Sequence, residues 1–518
     1  SVHKTSITII SNILLEPHCI PLVTKHFGES INVCFIPYGE HNEYSYKACL
    51  FDTDSIVVWL NFEELFPDVL NRIELKEVSK QQVIAEAVNL FERFFLDVTQ
   101  NRNVHVLSFT FENSYKPSHF AIGYIYDNLI DQINIRITEL FSGKITFMDF
   151  KHIIAEVGIA NAYVSKDKYR WNAPYSKALV HAAINEIHKQ YLIDKNITKK
   201  CLVLDCDNVL WGGILSEDGI ENIKLGRSGF GRFYQDFQRF VLSLYSHGVI
   251  LALCSKNDLP DVLTVFHEHS DMILKEEHIA YFQVNWNNKA DNIKRIAKEL
   301  NIGLDSIVFV DDSQYEIEMV KSVLPEVTTI LFNRDMDYGQ FSCFNLKNNI
   351  STSDIKKRNE TYRTNKLRND LMVQYTDHNE YIAALELKVE IHEAHPIEFN
   401  RISELTQRTN KCTNGKRYTV FEIKERVKSK AVKLYSVSVA DRFSDLGLVG
   451  AIEVDCDTLT LFSLSCRALG REVEKRMIEF IFVKHQINNI VFESTGKNTN
   501  FKEILENGFP SISFFRGQ

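Results

Sequence analysis

At residues 203–213 the chain reads VLDCDNVLWGG, placing the carboxylates of Asp205 and Asp207 one residue apart directly after the apolar run CLVL. Two carboxylates that close repel each other and are hard to desolvate unless a hard cation neutralises them. Mg2+ does this with oxygen ligands and leaves positions for water and a substrate phosphate. A plain acidic cap between strand and loop is the alternative reading of such a pair. Two further segments weigh against it. SIVFVDDS brings Asp311 and Asp312 to the end of a second apolar run, and CSKND, after VILAL, offers Ser255 and the backbone N–H groups that follow it to an anion. FQVNWNNKADN adds the ammonium of Lys289 ahead of the amphipathic stretch NIKRIAKEL. A cation site, an anion cradle and a counter-charge in one segment describe phosphoryl chemistry.

Such groups converge only if the runs that carry them are neighbouring strands, because open α/β sheets present ligands at the carboxyl ends of their strands. Residues 201–350 fit, alternating the strands KCLVLD, VILALCS, SIVFVDD and VTTILF with helices such as GRFYQDFQRFVLSLYSHG. Upstream, SITIIS, SINVCFI, SIVVWLN, NVHVLSFTF and KITFMDF alternate with helical stretches, among them one that spaces Val88, Phe91, Phe94 and Phe95 for one face. This is a layered α/β rhythm. SKALVHAAINEIHKQYLID reads as an amphipathic helix leading into CLVLDCD, and STSDIKKRNETYRTNKLRNDLM as a basic helical connector. Beyond it the strands AVKLYSVSVAD, GLVGAIEVD and TLTLFSLS precede the helix REVEKRMIEFIFVKH. The expected division is therefore 1–180, 181–350, a connector at 351–375, and 376–518.

Bulk properties narrow the function. The chain has 518 residues, 45% of them hydrophobic, enough for about two to four domains. A net charge of -9 argues against nucleic acid as the main partner. The absence of a signal-peptide pattern and of an apolar run of membrane-spanning length points to a cytoplasmic protein without membrane association. Ten cysteines without a CxxC support neither a disulfide framework nor a structural zinc site.

The ordered set DxDNVLWGG, CSKND, NWxxK and VFVDDS resembles the haloacid-dehalogenase-like phosphotransferases. More narrowly the chain resembles the FkbH-like proteins, which prepare glyceryl units for carrier-protein assembly lines. That likeness rests on DNVLWGGILSEDGIENIKLG (207–226), NWNNKADNI (285–293), LNIGLDSIVFVDDS (300–313), RISELTQRTN (401–410), SDLGLVGAIEVD and LSCRALGREVE. It is strong over about 200–515. It is weaker upstream, where SNILLEP, EHNEYSYKACL and RWNAPYS are similar to the partly degenerate SGNH-hydrolase-like region of the family. The implied architecture is multidomain α/β: an SGNH-like, flavodoxin-type layer without assignable hydrolase activity, a Rossmann-like central domain, and a C-terminal α+β domain like the GNAT acetyltransferases.

The resemblance implies roles. Asp205 would be the phosphoryl-accepting nucleophile and Asp207 the acid and base, with its main-chain carbonyl on the metal. Asp311, with Asp312 beside it, would supply the further side-chain metal ligand, and the sequence does not separate the two. Ser255 and Lys289 would hold the phosphoryl oxygens and Asn257 orient their loop, helix capping being the plainer role for Ser255 and Asn257. Trp211, Gly212 and Gly213 would shape the mouth. In the third domain Arg467 and Arg471 would bind phosphate, that of a phosphopantetheine arm included. Cys466 is the candidate acyl-carrying thiol, with a buried strand-end cysteine as the alternative.

The implied reaction is glyceryl transfer from 1,3-bisphosphoglycerate to the thiol of a holo acyl carrier protein with Mg2+-dependent dephosphorylation. It would yield D-glyceryl thioester for polyketide or related natural products. A stand-alone Mg2+-dependent phosphatase of small metabolites is the alternative. Three departures from the family pattern stand out: SQYEIE, with Glu316, after the paired aspartates; KCTNGKRYT at 411–419; and STGKNTNF at 494–501. The N-terminal region, rich in aromatic residues, could dock a carrier or a second copy of the chain as a homodimer. Lys and Arg of the connector could steer an acidic carrier.

Overall fold

The run CLVL is a strand buried on both faces because helices cover the parallel sheet above and below it, so its side chains need no polar alternation. The structure, a computed structural model, describes residues 6–15, 19–27, 32–35, 55–99, 104–112, 120–194, 197–346, 351–509 and 513–515. EHNEYSYKACL lies outside the described residues. The chain divides into two compact units, residues 1–192 with 518, and residues 193–517.

In the first unit five parallel strands, β1 (Ser6–Ser11), β2 (Asn32–Phe35), β3 (Ser55–Trp59), β4 (His105–Phe109) and β5 (Ile145–Met148), take the order β2-β1-β3-β4-β5. This is the flavodoxin-type order. Apolar clusters fill both faces, one built around Trp59, Phe109 and Phe150, the other around Phe62, Phe91 and Phe111. The helix Lys177–Asp194, expected to lead the central domain, packs Leu179, Val180, Ala183, Ile184 and Ile187 into the first of these clusters.

The second unit holds two sheets. The first is parallel: β6 (Cys201–Leu204), β7 (Ile250–Ser255), β8 (Ile279–Val284), β9 (Ile307–Asp311) and β10 (Thr328–Leu331), in the order β10-β9-β6-β7-β8. Chain direction across the sheet reverses between β6 and β9, and the crevice at such a switch point is where doubly wound sheets bind ligands. Of these five strands β8 (IAYFQV) is the one not expected as such.

The second sheet is mostly antiparallel, with β11 (Lys388–Glu393), β12 (Cys412–Thr413), β13 (Val432–Ala440), β14 (Asp445–Asp455), β15 (Thr458–Leu464), β16 (Asn489–Val491) and β17 (Ser513–Phe515). The helix Thr352–Val373 joins the two sheets, with one face tied down by polar contacts and the other exposed. Arg358 donates to the Gly248 carbonyl, Asn359 to those of Glu277 and His278, and Arg368 forms a two-pronged pair with Asp441 at 2.7 and 2.9 Å. Lys356 and Lys357 pair with Glu277 and Asp445. No helix among the described residues is long and apolar enough to cross a membrane.

Candidate active site

Parallel pairing of β6 with β7 and β9 brings three loop starts together at one edge of the sheet. Asp205 leaves β6 with its backbone N–H donating to the Val310 carbonyl at 3.0 Å, which sets it beside Asp311 at the end of β9. Lys289 opens the helix Lys289–Glu299, whose start is capped by the Asn288 side chain. The Lys289 ammonium reaches back between the two aspartates, 2.8 Å from Asp205 Oδ2 and 2.5 Å from Asp311 Oδ2.

All three groups are buried. Burial alone would lower the Lys289 pKa, but the two carboxylates override it and hold the ammonium above its ordinary value. Asp311 is pushed up to about 6 by burial and then by Asp205, against the pull of Lys289. Burial also raises Asp312, with Asp205 adding to the shift. Ligand atoms of Asp205, Asp311 and Asp312 lie within 4.8 Å of one another. An all-oxygen donor set with excess negative charge fits a hard cation such as Mg2+.

Asp207 stands apart from this trio. Its Oδ1 accepts from Trp211 Nε1 at 2.9 Å and from the Leu215 N–H at 3.1 Å, and its Oδ2 accepts from Asn257 Nδ2 at 2.9 Å. Burial raises its pKa, against those hydrogen bonds. The turn that aims it contains Asn208 in a left-handed conformation (φ 55°), whose side chain accepts from the Gly213 N–H at 2.9 Å. Gly213 has φ 100°, and a Cβ on it would lie 2.6 Å from Asp218 Oδ2. A Cβ on Gly212 would lie 2.6 Å from the Tyr234 ring. Close approach thus favours glycine at both positions, and at Gly213 the positive φ does so as well. Gln238, fully buried, fixes the same turn from the helix Gly229–Ser246 by donating to the Leu210 carbonyl at 2.7 Å.

Ser255 ends β7 with its Oγ accepting from Asn257 Nδ2 at 3.2 Å, and Asn257 in turn donates to Asp207, so the structure brings the three together. Trp211 does not overhang the mouth: its ring is fully buried, and its contribution is the bond to Asp207. The tryptophan at the rim is Trp286, 60% exposed and donating to Asp258 at 3.1 Å. It stands within the NWNNK stretch, three residues before Lys289, and that proximity is the available signal. Lys256, paired with the buried Glu316 at 2.5 Å, was also missed; its place between Ser255 and Asn257 was the signal.

The third-domain candidates lie elsewhere. Cys466 and Arg467 form a short turn after β15 and line a cavity with Lys200 and Ile250, which stand at the amino ends of β6 and β7. Five residues of extended chain, about 16 Å, separate Lys200 from Asp205. Arg471 does not line that cavity; it faces Asp441 at 4.0 Å and Asn365 at 3.5 Å.

No protein-family model matches the chain, and no curated protein does. Among solved structures it is similar to the N-terminal part of the protein BF1531 from Bacteroides fragilis, which contains a phosphatase domain complexed with Mg. The TM-score is 0.57 at 23% sequence identity, over 66% of this chain and 94% of that one. The likeness is one of fold.

Proposed function

We propose that the chain is a Mg2+-dependent phosphatase of phosphate monoesters. The observation that carries this reading is the division of labour between Asp205 and Asp207. Asp205 lies in the oxygen cluster with its counter-charge, while Asp207 is held outside the cluster by three donors in a setting that favours the protonated acid. Separation of neighbouring carboxyls into distinct environments is how acid and nucleophile roles are assigned within one site. A bound Mg2+, held by Asp205, Asp311 and Asp312, would supply charge neutralisation for the phosphoryl oxygens. Asp205 Oδ attacks phosphorus, the ester oxygen leaves with the proton of Asp207, and Asp207 then takes a proton from the water that hydrolyses the aspartyl phosphate. Lys289 and Ser255 face the transferred group and offset its charge. Hydrolysis of p-nitrophenyl phosphate with Mg2+ tests this: Asp205→Asn is expected to lose at least about a thousandfold in kcat, and retention of a tenth of the rate would sink the assignment.

The finer reading, glyceryl transfer from 1,3-bisphosphoglycerate to a holo acyl carrier protein, is favoured by Cys466 opening on a basic cavity. In it the Cys466 thiolate attacks the acyl carbon and phosphate leaves. The carrier's pantetheine thiol then displaces Cys466, and the remaining phosphate ester is hydrolysed at Asp205. A glyceryl unit spans only about 6 Å of bonds, so one held on Cys466 falls short of Asp205. Dephosphorylation in this scheme therefore follows transfer to the longer carrier arm. The test is intact-mass analysis of the carrier: a glyceryl increment with the wild type, a phosphoglyceryl increment with Asp205→Asn, and an unmodified carrier if the reading is wrong.

A further inference from the structure

The cavity at the amino ends of β6 and β7 has about 100 Å³ of room, enough for several water-sized groups. Seven Lys or Arg side chains line it against two carboxylates. One of these carboxylates, Glu404, is taken up by Arg401 and by Arg408, the latter at 3.2 Å. Arg358 and Arg467 have no such partner. Each is more than nine-tenths buried, yet Nε and Nη2 of Arg358 and Nε and Nη1 of Arg467 make no hydrogen bond within the described residues. Arg358 keeps one bond, Nη1 donating to the Gly248 carbonyl at 2.8 Å, but buried guanidiniums without a carboxylate partner are unfavourable, and two of them lining one cavity fit an anion. Their forks match the paired oxygens of a phosphate or carboxylate.

Burial and mutual repulsion weigh on these cations. Burial, and then the nearby Arg401, pull Arg467 down to about 9. Burial, and then Arg408, pull Arg358 down to about 10. Lys200, donating to the Arg408 carbonyl at 3.0 Å, is lowered to about 8, chiefly by burial. Ile250, Ile355 and Leu405 supply an apolar wall beside these cations, suited to a short carbon skeleton.

We propose that this cavity is a second anion site, at the edge of the parallel sheet opposite the aspartates, which binds a small organic phosphate between Arg358 and Arg467. The net positive lining favours a dianion over a monocarboxylate, and the apolar wall favours an organic phosphate over the free ion. The site stands whether or not Asp205 is a nucleophile, because none of its groups belongs to the metal cluster.

Cys466, on the cavity wall, makes a local reporter, and the exposed Cys456 serves as internal control. Metal-free full-length protein would be alkylated with iodoacetamide, with and without 3-phosphoglycerate or inorganic phosphate, and the rate at each cysteine read by peptide mass spectrometry. The expected result is at least tenfold protection of Cys466 by 3-phosphoglycerate and none of Cys456. In Arg467→Met the half-protecting concentration rises at least tenfold, and in Arg467→Lys, which keeps the charge without the fork, it rises by less. Protection by inorganic phosphate alone, at lower concentration, would overturn the organic ligand; protection reproduced by KCl of equal ionic strength would overturn the site. If free Cys466 resists the reagent, the thermal midpoint replaces it: 3-phosphoglycerate raises that of wild type but not that of Arg467→Met, and equal shifts overturn the proposal.

Discussion

Replacing Lys289 by Met removes the counter-charge that sits 2.8 Å from Asp205 and 2.5 Å from Asp311 in a site where its side chain is only 4% exposed. Deleting one partner of a buried ion pair costs about 3–5 kcal/mol, because the remaining charges stay buried without compensation. At roughly 2 °C per kcal/mol for a large domain, the metal-free midpoint should fall by about 6–10 °C. The deficit depends on pH with a definite sign. Asp311 is raised from its ordinary range to about 6 even with the ammonium present. Without the ammonium it rises further, so the folded state holds its proton to higher pH than the unfolded chain does. Stability is then lost as pH climbs, and the gap between K289M and wild type is small near pH 5 and full at pH 8. Mg2+ should close most of the gap, since a divalent cation supplies the missing positive charge. The assay is thermal unfolding of the full chain at both pH values with EDTA or Mg2+, followed by far-UV circular dichroism. A K289M protein as stable as wild type at pH 8 in EDTA would refute the role of the ammonium as counter-charge of the cluster.

Trp211→Phe removes one donor from ionised Asp207 and should raise its pKa further, moving the alkaline limb of the pH–kcat profile upward with a loss of about tenfold in rate; an unmoved limb contradicts the positioning role. Gly213→Ala, at φ 100° with its Cβ against Asp218, should destabilise by about 1–2 kcal/mol, read from the thermal midpoint. In the first unit Glu112 is buried, accepts from Tyr175 at 2.6 Å, Tyr163 at 2.9 Å and Asn61 at 3.0 Å, and is pushed up to about 7, chiefly by burial. The folded form therefore binds more protons than the unfolded chain between the ordinary glutamate range and pH 7. Stability falls across that window and levels off above it, by at most about 3 kcal/mol. Glu112→Gln should flatten the slope in a denaturant titration series.

The strand ends were readable because the runs CLVL, VILAL and IVFV announce themselves by unbroken apolarity: Asp205 and Asp311 follow CLVL and IVFV directly and Ser255 lies two residues beyond VILAL, whereas Lys289 opens a helix. Trp211 was misplaced because composition does not say which way a turn folds; the left-handed Asn208 and the close contacts of Gly212 and Gly213 turn the ring inward. The helix Thr352–Val373 reads only as a basic connector because Arg358, Asn359 and Arg368 hold it through hydrogen bonds, which periodicity does not reveal. The Arg358–Arg467 cavity was legible only at Arg467, singled out as a phosphate ligand. Its groups come from segments more than a hundred residues apart, and nothing in local spacing reports that two guanidiniums will share one space.

The most direct test of the phosphatase account uses Asp207→Asn with p-nitrophenyl phosphate and Mg2+, quenched in acid and mapped by peptide mass. The leaving group needs no proton from Asp207, so phosphorylation should proceed while hydrolysis stalls, and a phosphoryl increment should accumulate on the peptide that carries Asp205. Wild type should show little of it at steady state, and the Asp205→Asn protein none. Turnover by Asp205→Asn, or an Asp207→Asn protein that releases p-nitrophenol without any mark on Asp205, would contradict the account.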